Sequence, residues 1–186
     1  MKSKIHQFFL MLIIAAVSAF TLVPPPVHMP EQNRFIPEAV YELPPVDTLT
    51  LTLAAVNAKQ GEQVCVPVTV AGFEQILSMQ YSVRWDAGAL RFTDIKNFGV
   101  RGMSVKSFGT HLANEGTLTF SWYDPQLRGV SLNDGAVLFE LCFEVTGAAG
   151  SRSQLAIAGH PTPVEIVNGS SVFLELRTHG GLVVVK

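Results

Sequence analysis

The sequence predicts an all-β domain, a two-sheet β-sandwich over residues 48–186, behind two shorter N-terminal zones. Three observations carry this. Apolar and polar residues alternate with period two in run after run, as strands with one buried and one wet face require. Glycine-bearing turn pairs separate the runs. No stretch of these 139 residues keeps a helical period over three turns.

The runs follow in chain order. Thr48-Leu49-Thr50-Leu51-Thr52-Leu53 alternates without a break. Val64, Val66, Val68 and Val70 alternate with Gln63, Cys65, Pro67 and Thr69. Met79, Tyr81, Val83 and Trp85 alternate with Ser78, Gln80, Ser82 and Arg84. Leu118, Phe120 and Trp122 alternate with Thr117, Thr119 and Ser121, and Phe139, Leu141, Phe143 and Val145 with Glu140, Cys142 and Glu144. Turns are expected at 59–61, 86–88, 114–116, 133–135, Asn168-Gly169 and Gly180-Gly181. Asn168-Gly169-Ser170 also matches a glycosylation sequon, but between Val164–Val167 and Val172–Leu176 it reads as a hairpin turn. About nine or ten strands at this spacing make a sandwich.

The N-terminal zones differ in composition. In residues 1–19, Lys2 and Lys4 precede an apolar run, Phe8–Val17, and Val17-Ser18-Ala19 offers small residues for cleavage. That is the layout of a secretory signal peptide, preferred over an uncleaved anchor. No cysteine follows the run, so a lipid anchor is not expected. Residues 20–47 hold seven of the chain's 11 prolines and no glycine. This zone is read as an extended, semi-rigid linker. It lacks the repeated P-x-x-P pattern of a proline-rich ligand.

Composition bounds the function. Charged residues are 15% of the chain and mean hydropathy is +0.31, which suggests a membrane protein. Yet the longest apolar run, Phe8–Val17, is about half the roughly 20 residues a spanning helix needs. A polytopic membrane protein is excluded. Net charge is −2 without a basic cluster, which argues against nucleic-acid binding through phosphates.

The chain has two cysteines. In an exported protein an even count suggests a disulfide. Cys65 and Cys142 each take the polar parity of their runs. If those strands are neighbours, the thiols face each other. Bridging them would close a loop of 77 residues, worth roughly 4 kcal/mol in the chain-entropy model.

The search for chemistry is mostly negative. His111, His160 and His179 lie in separate segments without metal-ligand spacing. There is no G-x-S-x-G elbow and no EF-hand run. The seven glutamates and four aspartates of the third zone are scattered, and Asp86, Asp124 and Asp134 read as turn formers. A carboxylate pair would meet only in three dimensions, so a hydrolase is the third reading. No catalytic residue, metal or cofactor is expected. A glycan platform would need exposed aromatics. Parity buries Trp85 and Trp122, leaves Tyr123 as the main exposed candidate, and does not assign Phe98, Phe108 or Phe173.

These residues together resemble the cohesin family. Gly61-Glu62-Gln63-Val64 through Val66-Pro67-Val68-Thr69-Val70 is similar to the opening strand of cohesin domains. Ile76–Ile95, with Tyr81-Ser82-Val83-Arg84-Trp85-Asp86, resembles the next strand pair. Gly116–Asp124, Asp134–Val145 and Gly180–Val184 resemble later strands in family order. Ala87 and His179 depart from the usual proline and asparagine, and the cysteine pair is not general in the family. The resemblance implies a nine-stranded jelly roll in which the strands bearing Cys65 and Cys142 are neighbours. It implies a secreted, non-catalytic module that docks a dockerin-type or other extracellular protein, with a role in polysaccharide degradation. The docking surface carried over is the outer face formed by Ser78, Gln80, Ser82, Arg84, Thr117, Thr119, Ser121 and Tyr123. The alternative is a carbohydrate-binding or adhesive module on the same sandwich. Lys186 follows the last strand directly, so no second domain is expected.

Overall fold

The structure, a computed structural model, describes residues 47–186. The expected signal peptide, and the linker except Asp47, lie outside the described residues. Two sheets pack face to face. The first contains β1 (Thr48–Leu53), β3 (Gln63–Ala71), β5 (Leu90–Lys96), β8 (Val137–Val145) and β11 (Glu175–His179), in the order β11-β1-β3-β8-β5. The second contains β2 (Ala55–Ala58), β4 (Ile76–Arg84), β6 (Phe108–Gly109), β7 (Thr117–Tyr123), β9 (Arg152–Ala158) and β12 (Gly181–Val185), in the order β2-β12-β9-β4-β7-β6. A further strand, β10 (Glu165–Asn168), pairs with the first half of β4. The expected two-sheet sandwich is what forms. Helix is confined, among the described residues, to single 3-10 turns at Val105–Ser107 and Ala113–Glu115.

Period-two alternation explains the core. Leu49, Leu51 and Leu53 of β1, Val66, Val68 and Val70 of β3, and Leu141, Phe143 and Val145 of β8 are buried on the first sheet. Met79, Tyr81 and Val83 of β4 and Leu118, Phe120 and Trp122 of β7 are buried on the second. Aromatic rings bridge the layers. Phe120 lies 4.6 Å from Tyr81, 4.8 Å from Phe108 and 5.7 Å from Phe139, centroid to centroid. Such contacts add to the burial of each ring. Trp85 and Trp122 are both buried, as parity predicts, and each satisfies its indole N–H on a carbonyl, Leu90 O and Arg101 O, at 3.0 Å.

The cysteine expectation holds. β3 and β8 are antiparallel neighbours with Cys65 directly opposite Cys142, and the two are bridged. Cys142 is nevertheless buried rather than on a wet surface.

Two local expectations change. The hairpin expected after Asn168-Gly169 is cut short: Phe173 faces Val167, and the chain then crosses to the first sheet as β11, parallel to β1. Leu176 thereby pairs with Leu49 and packs against the core, which a longer hairpin would not achieve. Gly180-Gly181 is not a hairpin turn but the corner where the chain leaves the first sheet for the second. It lies against the matching corner between β1 and β2: a Cβ on Gly181 would sit 2.8 Å from Ala54 O and 2.9 Å from Leu53 Cβ. The turn expected at Asn114-Glu115-Gly116 forms, as the end of a 3-10 turn with Gly116 left-handed at φ 73°. Counting each corner-crossing pair as one run, and setting the two-residue β6 aside, leaves nine runs.

Candidate docking face

The candidate face is the outer side of β10, β4 and β7. Register places its side chains in rows, because directly opposed residues point to the same side of a sheet. Ser78 opposes Tyr123, Gln80 opposes Ser121, Ser82 opposes Thr119, and Arg84 opposes Thr117. All eight residues predicted for this face therefore lie on two adjacent strands with outward parity.

Two of them do not reach solvent. Ser82 is fully buried because the segment after β9 passes over it: Thr162 N–H donates to Ser82 Oγ at 2.9 Å. Thr117 is also buried. Parity reports which side of a sheet a residue takes, not whether a loop later covers it. Ser78, Gln80 and Thr119 are half-buried, and Arg84, Ser121 and Tyr123 are exposed, Tyr123 at 65%.

The structure adds residues that the sequence reading missed. β10 extends the face beside β4, with Val167 opposite Ser78 and Glu165 opposite Gln80. Gln80 Nε2 donates to Glu165 Oε2 at 3.0 Å, which fixes both groups across the strand pair. Phe173, 66% exposed, opposes Val167. The row Phe173–Val167–Ser78–Tyr123 thus carries an exposed aromatic residue at each end, on strands whose backbones lie about 14 Å apart at about 4.8 Å per strand spacing. Tyr123 is exposed as parity suggested, and Phe173, which parity did not assign, is exposed as well. The alternation of Glu165 and Val167 around buried Ile166 was the available signal. Phe173 had none, since its place depends on a single bridge at the tip of a hairpin.

Tyr123 is held at a rigid end of β7. Asp124 N–H donates to Leu77 O at 2.7 Å. The Asp124 carboxylate is fully buried and accepts from Arg101 Nε at 2.6 Å and Nη2 at 2.8 Å. It also accepts from the backbone N–H groups of Gln126 and Arg128, at 3.1 and 3.0 Å. The Arg101 hydrogen bond is the main cause holding its carboxyl far below the ordinary range, and the two N–H groups add to it against desolvation. Asp124 is thus the turn former the sequence suggested, built into an ion pair that orders the loop beside Tyr123.

Among the described residues no group of three or more His, Cys, Asp or Glu side chains converges as a metal site would require. Among the described residues, no helix is long and apolar enough to cross a membrane.

Comparison with known proteins agrees with the fold. A family model described as "Cohesin domain" matches residues 49–161. The fold is similar to the sixth cohesin of scaffoldin B from Acetivibrio cellulolyticus, solved with a Cel5 dockerin. There the TM-score is 0.63 at 19% identity, covering 75% of this chain and 99% of that one. It is similar to the OlpA cohesin of Clostridium thermocellum, solved with the dockerin Doc918. That match has a TM-score of 0.64 at 14% identity, covering 75% and 99%. It is also similar to a non-cellulosomal cohesin from the archaeon Archaeoglobus fulgidus, with a TM-score of 0.55 at 19% identity, covering 75% and 91%. No curated protein sequence shows significant similarity to the chain.

Proposed function

The chain belongs to the cohesin family, and on that premise we propose that it is an exported, non-catalytic module that docks a dockerin-type protein on the outer face of β10, β4 and β7. The observation that carries the reading is the Phe173–Val167–Ser78–Tyr123 row with its flanking polar row, Glu165–Gln80–Ser121. Exposed large apolar side chains gathered on one face mark interaction surfaces, and Tyr and Arg are enriched where binding energy concentrates. Export is supported by the signal-like N-terminus and by the disulfide, which persists in oxidising compartments. A partner that carries a polysaccharide-degrading enzyme would give the module its part in polysaccharide breakdown.

The test is titration of the full chain against a panel of dockerin modules. Saturable binding to at least one is expected, with Tyr123→Ala and Phe173→Ala each weakening it about tenfold or more and Arg84→Ala less, as for central and rim contacts. No saturable binding across the panel, or binding indifferent to Tyr123 and Phe173, overturns the reading.

The two exposed rings favour a second reading, direct glycan binding on the same row. Affinity electrophoresis through gels containing different polysaccharides separates the two: retardation lost on Tyr123→Ala supports glycan binding, and unchanged mobility in every gel rejects it.

A further inference from the structure

We propose that Leu127 is an apolar anchor that the module inserts into an uncharged, apolar recess of its protein partner. This rests on the docking reading above and names the chemistry that the partner must present. The observation that carries it is a strained backbone holding an apolar side chain in solvent.

Leu127 is left-handed at φ 52°. A Cβ is crowded in that conformation, and glycine or asparagine adopts it at lower cost. The Leu127 side chain is also 73% exposed and takes no part in the core. The leucine therefore strains its backbone and contributes no burial to the folded chain. Its turn is nevertheless held firmly. Leu127 N–H donates to Asp124 O at 3.0 Å. The N–H groups on either side, of Gln126 and Arg128, both donate to the buried Asp124 carboxylate. Arg101 fixes that carboxylate and donates to Gly129 O at 3.1 Å. A side chain presented on so fixed a turn leaves little backbone freedom to be lost on binding. Strain that the surrounding structure maintains at an exposed position points to function.

The surroundings share both features. Among the described residues four non-glycines have positive φ, and three of them, Gln75, Leu127 and Ser171, lie in segments that meet at Gln75. Gly169 N–H donates to Gln75 O at 2.7 Å, and a Cβ on Gly129 would sit 2.7 Å from the same oxygen. Ile76 and Val130 exchange backbone hydrogen bonds at 2.8 and 2.9 Å. The turn bearing Leu127 and the tip bearing Val172 and Phe173 thus flank the start of β4. Tyr123, Leu127, Val172 and Phe173 are four of the seven exposed large apolar residues among those described. Such a gathering marks an interaction surface.

Charge sets what can meet it. Residues 168–174 carry no charge, and residues 125–132 carry only Arg128, which is exposed. Asp124 is buried and committed to Arg101. A charged group pressed against this end would lose water and find no opposite charge except at Arg128. An uncharged recess that takes one leucine has no such loss.

The experiment measures stability and affinity on the same variants of the full, oxidised chain. Leu127→Gly removes the side chain and relieves the backbone. Leu127→Asn substitutes a polar side chain that tolerates the left-handed region. Leu127→Met keeps the apolar volume. In urea melts the glycine and asparagine variants are expected at or above the parent midpoint. The probe for affinity is the dockerin module that binds the parent most tightly in the panel above, titrated by calorimetry. Both variants are expected to bind it about tenfold or more weakly, as loss of one buried leucine implies. Leu127→Met is expected to stay within about threefold of the parent. A clearly lower midpoint for both Leu127→Gly and Leu127→Asn would show that the leucine serves the fold, and overturns the anchor without any partner. Unchanged affinity in Leu127→Gly, or an equal loss in Leu127→Met, also overturns it. If affinity depends on Tyr123 and Phe173 but not on Leu127, the docking reading stands without the anchor. No binding across the panel overturns both.

Discussion

Two buried polar side chains behave in opposite ways. Tyr81 lies in the core between the sheets, and its hydroxyl has no hydrogen-bond partner among the described residues. Burial pushes its ionisation far upward, so it is neutral at every physiological pH. An unsatisfied buried hydroxyl costs stability, whereas the ring contributes through Phe120. Tyr81→Phe is therefore expected to be neutral or stabilising by about 1 kcal/mol in urea melts. Asp124 is the reverse case, fully committed to Arg101 and two backbone N–H groups. Its folded pKa lies below its unfolded one. Its stabilisation is then fully present above the ordinary carboxylate value, about 3.9, and declines as pH falls from there towards the folded value. Asp124→Asn is expected to lower the melting temperature clearly at pH 6, and the gap to the parent is expected to narrow below about pH 4. Its role as a turn residue was legible in the sequence. Its partner was not, because Arg101 lies 23 positions away and the pair meets only when two loops close over the end of β7.

At the scale of elements, strand identity follows from alternation, and strand fate does not. The runs at β1, β3, β4, β7 and β8 were readable because each buries every second residue. The change of sheet between β11 and β12 was not, because Gly180-Gly181 has the composition of a turn whether the chain reverses or turns a corner. Its physical requirement is close approach: Gly181 packs against Leu53 and Ala54. Gly181→Val is expected to destabilise by about 2 kcal/mol, within the range for overpacking, since neither the Ala54 carbonyl nor the Leu53 stem can move without disturbing β1. Denaturant melts check it. The covered position of Ser82 belongs to this scale too. Its strand gave it outward parity, and the later loop through Thr162 removed it from solvent.

For the whole molecule, long-range pairing dominates. β1 pairs with β11, joining Thr48 to Glu175, and the disulfide joins β3 to β8 over a separation of 77 residues. A bridge over so long a loop acts chiefly by restricting the unfolded chain. The double variant Cys65→Ala/Cys142→Ala is expected to lose up to about 4 kcal/mol, read as a lower urea midpoint that added reductant no longer changes. The parent is expected to approach the same midpoint under reductant. An undiminished parent midpoint after complete reduction would contradict this role.

The sequence by itself determined the fold class, the order of the main strands, the burial of both tryptophans, the matching parity of Cys65 and Cys142 and the parity of the candidate face. These follow from period-two alternation and from composition, which are local and carried by every strand. Only the tertiary structure decided that β3 and β8 are neighbours and so bring Cys65 to Cys142, that Ser82 and Thr117 are covered, that Glu165, Val167 and Phe173 join the candidate face, and that Arg101 and Asp124 clamp the loops beside Tyr123. Each of these depends on which distant segments come to lie side by side. Alternation says which way a side chain points, and only the packed chain says what it meets there.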